Sequence, residues 1–319
     1  MSRGASAGID RRDADLARVA GAFRRTVYAH YQTERRDLPW RRTTDPYAIL
    51  VSELMLQQTQ VERVLHHYQP FLDAFPTTAR LAAAPLAEVL SSWSGLGYNR
   101  RAVALQRAAD LVERDHGGRI PRDRDDLLRL PGVGPATSGA VLAFAFGVPV
   151  VFVETNIRRA CLAELTARSL LPAAAEDQPI RDALLVPLLE RALDRDDPRN
   201  WYYALMDYGA ALGRAARRRG AAANPNLASA DYRRQSRFAG SARQLRGAIV
   251  RALVESGAAA TAGELWRVCR GVAPATTRAR AARVIDQLHD EGLLERVPHS
   301  RPLLYQLPRD RQLRRMIQL

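Results

Sequence analysis

The sequence contains no lysine: all 48 residues counted as Lys or Arg are arginine. This excludes chemistry that runs through a lysine Schiff base. It leaves a charge that pH does not remove, carried on a planar fork that matches phosphate oxygens. Cysteine occurs only at Cys161 and Cys269, far apart in the chain, which excludes a disulfide framework and a cysteine-rich metal site. None of the six histidines has metal-binding spacing, and the adjacent His66 and His67 point to different sides of a helix. No apolar run is long enough to cross a bilayer, no lipidation motif is present, and the N-terminus lacks the apolar core of a secretory signal. A soluble cytoplasmic chain without metal or membrane contact is expected.

What the sequence has instead is positive charge. With 48 arginines against 34 acidic residues the net charge is +14, which predicts a polyanionic partner, nucleic acid ahead of membrane. A chain of 319 residues can bury the cores of two domains.

The densest cluster of signals runs from Leu130 to Asn156. Leu130-Pro131-Gly132-Val133-Gly134 reads as a tight hairpin between two helices. Its glycines permit backbone angles and close approaches that side chains block. Pro131 and Pro135 stiffen the turn, and the helix that follows opens with N–H groups suited to a phosphate oxygen. Its apolar segment ends at Gly147 and Pro149, and a run that reads as buried, Val148 to Val153, delivers one carboxylate, Glu154. A backbone phosphate grip followed by a lone acid is one reading. A plain helical hairpin with a solvent-exposed Glu is the other.

Upstream, residues 1–13 are small, polar and charged and read as a disordered basic tail. From Asp15 to Gln32 the residues Leu16, Val19, Phe23, Val27 and Tyr31 share one helical face. A basic loop, Arg35 to Arg42, carries Trp40 as an anchor, and Asp45-Pro46 starts a helix that runs to Leu56. Glu53 interrupts the apolar run of that helix. It lies either on a narrow wet edge or toward a cleft, where a partly desolvated carboxyl can donate a proton near neutral pH. Gln57-Gln58-Thr59-Gln60 follows, amides that can read base edges or simply end the helix.

Helices are predicted at Val61–Phe75, in one or two pieces over Thr78–Leu90, at Ala102–His116 and at Asp123–Arg129. Between the second and third lies Trp93 to Arg101, with Gly95, Gly97, Tyr98 and two arginines. It is either a loop that touches a DNA backbone and wedges a ring into the base stack, or an ordinary turn. After Asn156, helices are predicted at Ile157–Leu170, Gln178–Asp194 and Asn200–Leu212. The composition then shifts: residues 214–240 are rich in Arg, Ala and Asn and read as a flexible basic linker. From Ser241, helices at Ala242–Glu255, Ala262–Arg270 and Thr276–Glu291 and two short strands describe a winged helix. Its third helix carries Arg278, Arg280 and Arg283, for contact with DNA or with another protein. The part before Ser241 is predicted to be all-α.

Four stretches together carry a resemblance: Leu38-Pro39-Trp40-Arg41, the run from Ser52 to Val61, Gly95-Leu96-Gly97-Tyr98, and Leu130 to Gly134. They resemble the helix-hairpin-helix DNA glycosylase superfamily, and within it the adenine DNA glycosylases of MutY type, over roughly Val27 to Ala210. The resemblance implies an all-α, two-lobed glycosylase domain, residues 14–213; the winged-helix-like domain read from the residues, 241–319, follows it. It implies a general acid at Glu53 and a carboxylate beside the sugar at Glu154. Gln57, Gln58 and Tyr98 are then the residues that probe and wedge the pair, Arg41 a contact to the extruded base, and Gly132, Val133 and Gly134 the phosphate clamp. The partner implied is double-stranded DNA with a mispair or an oxidised guanine, and the chain is expected to act as a monomer.

The departures from that family pattern are specific. Glu154 stands in place of Asp. Ala136 stands where relatives with lyase activity carry Lys and adenine glycosylases often carry Ser or Tyr. Tyr203 stands where the latter often carry Gln or Glu near the base. The four cysteines of the family's iron–sulfur cluster are missing, so no cofactor is expected. A monofunctional glycosylase for adenine opposite 8-oxoguanine or guanine is the leading expectation. A glycosylase for thymine or uracil opposite guanine and a non-catalytic winged-helix DNA-binding regulator are the alternatives.

Overall fold

The computed structural model describes residues 3–170, 179–233 and 237–308. Among them are fourteen α-helices, α1 to α14, and one three-stranded sheet. The chain forms two compact units, each built from two separated stretches of sequence. The division falls inside one helix, after Ile49, and inside the hairpin, after Val133.

The first unit holds residues 1–49 and 134–234. Its helices are α1 (Arg3–Glu34), the start of α2 (Pro46–Leu56), α8 (Pro135–Phe146), α9 (Thr155–Ala167), α10 (Val186–Ala192) and α11 (Pro198–Arg219). Helix α1 begins at Arg3, where the sequence reads as a tail up to residue 13. It packs on α10 and α11, and Arg24 fixes the end of α10 through the carbonyls of Ala192 at 2.8 Å and Leu193 at 2.7 Å. Helices α9 and α11 cross at Gly209, where a Cβ would sit 2.1 Å from the Asn156 carbonyl oxygen. Only glycine lets the two backbones meet there.

Three expectations change in this unit. Of Val148 to Val153 only Phe152 is buried, and the segment is in no sheet and turns tightly, with Val150 N–H donating to the Val148 carbonyl at 2.9 Å. The helix predicted over Gln178–Asp194, whose first residue lies outside the described residues, is from residue 179 on a short 3-10 turn at Asp182–Leu184 followed by α10, with Ile180 in a parallel bridge to Ser229. The segment read as a linker from residue 214 is instead folded over most of its length. Helix α11 continues through Arg219, and Asn226 is buried with its amide donating to the Thr155 carbonyl at 3.0 Å.

The second unit holds residues 50–133 and 235–319. It contains the end of α2, then α3 (Val61–Ala74), α4 (Thr78–Ala83), α5 (Leu86–Ser92), α6 (Arg100–His116) and α7 (Arg124–Arg129). Trp93, Phe71 and Phe75 are fully buried; Phe71 meets Trp93 edge-on with centroids 5.7 Å apart and lies tilted against Phe75 at 4.9 Å. The same unit holds α12 (Ala242–Ser256), α13 (Ala262–Val272) and α14 (Arg278–Asp290). Ser241, Thr261 and Thr277 cap their starts through side-chain oxygens, as expected of those residues at helix entries. Three short strands, β1 (Ala260–Thr261), β2 (Glu295–Arg296) and β3 (Leu304–Gln306), form an antiparallel sheet in the order β1-β3-β2. The hairpin of the predicted winged helix is thus present, with β1 added. Helix α12 packs against α5.

Candidate active site

In the second unit, Glu53 sits half-buried on α2, one turn before the helix ends. The turn that follows carries Gln57 and Gln58. Gln57 donates its side-chain amide to the Gly132 carbonyl at 3.1 Å, joining the end of α2 to the hairpin. Gln58 holds a left-handed backbone, φ +56°, a conformation that costs free energy in a non-glycine residue and is retained where its surroundings enforce it. Tyr98 is in the same state, φ +49°, after Gly95 at φ +101° and Gly97 at φ +72°.

Arg101 fixes both turns. Its side chain is buried and its two terminal nitrogens reach six oxygens: the carbonyls of Leu54, Met55 and Gln57, the Thr59 hydroxyl, and the carbonyls of Leu96 and Gly97. It therefore closes the end of α2 and the Gly95–Tyr98 loop in one contact set. Burial lowers its pKa to about 10, which leaves it charged at neutral pH. Of the two readings of this stretch, a DNA-contacting loop or an ordinary turn, Arg101 does not serve the first: it is buried, and only Arg100 of the two arginines is exposed. A similar correction applies to α14, where Arg280 donates to the Gly240 carbonyl while Arg278 and Arg283 stay exposed.

The hairpin positions have distinct duties. Gly132 is exposed with φ +83°, and a Cβ there would press on Ala104 Cβ at 3.0 Å. Val133 is buried, and its N–H closes the turn on the Leu130 carbonyl at 3.0 Å.

In the first unit, α8 begins at Pro135, and its first backbone bond runs from Ser138 N–H to the Gly134 carbonyl at 2.8 Å. The amides ahead of Ser138 have no acceptor within the helix, and Ala136 lies among them, half-buried. Glu154 is the N-cap of α9: its Oε1 accepts from Asn156 N–H at 2.8 Å and Ile157 N–H at 2.9 Å. Asp is a preferred residue for that duty and Glu is not, so the longer side chain fills a position suited to Asp. Burial pushes the Glu154 carboxyl above its ordinary value, against the two backbone donors and the charges of Arg159 and Arg158.

Arg41 is committed to an ion pair. Its two terminal nitrogens each donate to one oxygen of Asp207 at 2.8 Å, and Arg36 adds a third bond at 2.5 Å. Its guanidinium also lies 4.6 Å from the centre of the Tyr203 ring, which stacks on Phe144 at 4.4 Å with an interplanar angle of 14°. Asp207 was missed by sequence reasoning, although the signal that singled out Glu53, an acid inside an apolar helical run, is present at Leu205-Met206-Asp207.

Residues 51–167 match the HhH-GPD superfamily of base excision DNA repair proteins. The adenine DNA glycosylase of Mycolicibacterium smegmatis is 36% identical over 281 residues, spanning 85% of this chain and 92% of that protein. The chain belongs to the adenine DNA glycosylase family of the HhH-GPD superfamily. A second member of that adenine DNA glycosylase family, from Mycobacterium tuberculosis, is 34% identical over 286 residues, 86% of this chain and 91% of that one. The solved structure of a thermostable thymine-DNA glycosylase matches with a TM-score of 0.54 at 31% identity, over 61% of this chain and 88% of that one.

The four-cysteine iron–sulfur cluster common in adenine DNA glycosylases does not fit this chain, which has two cysteines in all. Cys161 is buried in α9, where burial pushes its thiol up, and Cys269 is buried in α13. Among the described residues no group of three or more His, Cys, Asp or Glu is placed to hold a metal. Ordinary contacts hold the segment after α11: Arg159 donates to Asn224 at 3.3 Å, Asp182 N–H to Asp231 at 2.8 Å, and Arg158 pairs with Asp182 at 2.6 Å.

Proposed function

We propose that the protein is a monofunctional DNA glycosylase of base excision repair that removes adenine opposite 8-oxoguanine or guanine, without a cofactor. The observation that carries this reading is the hydrogen-bonded assembly around Glu53. The acid's helix, the strained Gln58 turn, the Tyr98 loop and Gly132 are tied together by Arg101 and Gln57. A base in a duplex must be extruded before its glycosidic bond can be reached. Tyr98 wedges the stack, Gln57 and Gln58 probe the pair, and backbone groups at Gly132 and Gly134 grip phosphate.

Breaking the glycosidic bond leaves negative charge on the departing base and positive charge on the sugar. Glu53 donates the proton that neutralises the first, and ionised Glu154 faces the second. Held by two amides of α9, that carboxylate needs no reorganisation as charge develops. With Ala136 after the hairpin and no lysine in the chain, water completes the reaction and an abasic site remains.

A pyrimidine opposite guanine is the second reading, favoured by Tyr203, whose flat stack on Phe144 occupies the position where adenine glycosylases often carry Gln or Glu. Release of free base from a panel of duplexes decides between them. Adenine release from adenine paired with 8-oxoguanine or guanine supports the first. Release of thymine or uracil opposite guanine, with adenine retained, replaces it with the second.

A further inference from the structure

We propose that Arg243, in the first turn of α12, is a positioning residue for Tyr98, so that the winged-helix segment acts as a strut for the wedge loop of the glycosylase. The inference rests on the reading of Tyr98 as the wedge. Arg243 Nη1 donates to the Tyr98 phenol oxygen at 2.5 Å, and its guanidinium lies 5.3 Å from the centre of the Tyr98 ring. The residues are 145 positions apart in sequence and lie in one compact unit.

Three features give this contact weight. The Tyr98 backbone is left-handed and follows two left-handed glycines, Gly95 and Gly97, so the loop has no regular structure of its own to stiffen it. Arg101 holds the base of the loop through the Leu96 and Gly97 carbonyls and lies 5.5 Å from the centre of the Tyr98 ring, while the hydrogen bond to the phenol oxygen comes from Arg243. Beside the ring lies a cavity of about 210 Å³, bordered by Tyr98, Asn99, Arg100, Arg243 and Arg246. The ring is therefore not packed on that side, and Arg243 supplies the hydrogen bond at its tip.

Arg243 is itself seated. Helix α12 packs on α5, the neighbouring Arg246 pairs with Glu291 at the end of α14, and the Phe238 ring lies 6.0 Å from the Arg243 guanidinium. A ring that must part stacked bases works against the unstacking free energy. A charged hydrogen bond at its tip, braced by a folded helix, resists displacement in a way a glycine-flanked loop cannot.

The test is a double-mutant cycle in the full chain: Arg243→Ala, Tyr98→Phe, the pair together, and Arg243→Lys. Base extrusion is followed by the fluorescence of 2-aminopurine placed opposite 8-oxoguanine. Duplex affinity is measured against salt, and urea unfolding checks the fold. If Arg243 acts through the phenol, each single variant slows extrusion about tenfold, the scale of one charge-assisted hydrogen bond. The double variant is then no slower than either, Arg243→Lys recovers part of the loss, and the salt slope stays unchanged. Losses that multiply to about a hundredfold would overturn the proposal. So would a salt slope reduced by about one in Arg243→Ala, the signature of a phosphate contact. A wild-type protein that extrudes 2-aminopurine but releases adenine from no mispair would overturn the adenine reading and leave this one standing.

Discussion

Asp207 accepts one hydrogen bond of 2.8 Å from each terminal nitrogen of Arg41, and the pair is nearly sealed from water, with side chains 1% and 8% exposed. Burial alone would raise the Asp207 carboxyl; the Arg41 hydrogen bonds and charge, joined by Arg36, outweigh it and hold it below the ordinary carboxylate value. A depressed folded-state value makes the pair's contribution complete above the unfolded-state pKa of about 3.9. That contribution is lost as pH falls through the folded value. Asp207→Asn is expected to cost about 3–5 kcal/mol, because it leaves a buried guanidinium without its counter-charge. Urea unfolding at neutral pH measures this, and the gap between variant and parent should narrow as the solution is acidified below pH 4. A gap independent of pH would contradict the account.

The two duties of Glu154 separate by substitution. As a helix cap it needs only an acceptor oxygen, so Glu154→Gln should fold normally, whereas Glu154→Ala should lose about 1 kcal/mol of stability. As the carboxylate facing a cationic sugar it needs charge, so Glu154→Gln should lower single-turnover excision about a hundredfold or more. Glu154→Asp, which keeps both cap and charge, should stay within about tenfold of the parent. Equal activity in Glu154→Gln and Glu154→Asp would reduce the residue to its cap.

The raised pKa of Glu154 has a signed consequence. The folded chain holds that proton more tightly than a free carboxyl does, so the ionised form is lost as pH falls through the raised value. Excision should therefore decline on the acid side, with a midpoint above that of an exposed glutamate, about 4.3. The decline should flatten in Glu154→Gln. An acid limb unchanged by that substitution belongs to another group.

Arg101→Ala leaves six oxygens of two turns without their common donor. A stability loss of about 3 kcal/mol or more is expected from the unsatisfied buried carbonyls. Hydrogen exchange should quicken together at residues 54–60 and 95–98, since one side chain holds both. Faster exchange in only one of these stretches would mean that they are held separately.

Borohydride reduction during turnover should trap no covalent protein–DNA species through a side chain, because the only primary amine in the chain is at its N-terminus. Denaturing electrophoresis of the reduced mixture reads this directly, and peptide mapping of any adduct to a residue other than the first would contradict it.

How far the sequence foretold these features depended on whether the signal was local. The hairpin was legible because Gly132 needs a positive φ that its residue type announces, and the half-buried place of Glu53 on α2 because an acid broke an apolar helical run. The predicted end of α2 at Leu56 and start of α8 at Pro135 follow from the same local chemistry. The place of Arg101 was left open because an arginine beside a glycine loop looks alike whether it faces DNA or six oxygens of its own chain. The distinction comes from Leu54 and Thr59, more than forty positions away. The segment after α11 read as a linker because its Arg-Ala-Asn composition hides Asn226, whose anchor is the Thr155 carbonyl on another helix. Strand β1 has only two residues and exists through pairing with β3. Long-range partners decided each of these cases, and no local pattern encodes them.

If Glu53 is the acid that releases adenine, its loss abolishes excision. This is tested most directly by single-turnover cleavage of a duplex with one adenine opposite 8-oxoguanine, followed by alkali, for the parent and Glu53→Gln at matched duplex occupancy. Alkali-dependent breakage at the adenine is expected with the parent and none above background with the variant, while duplex binding is retained. Undiminished breakage with Glu53→Gln would contradict that role.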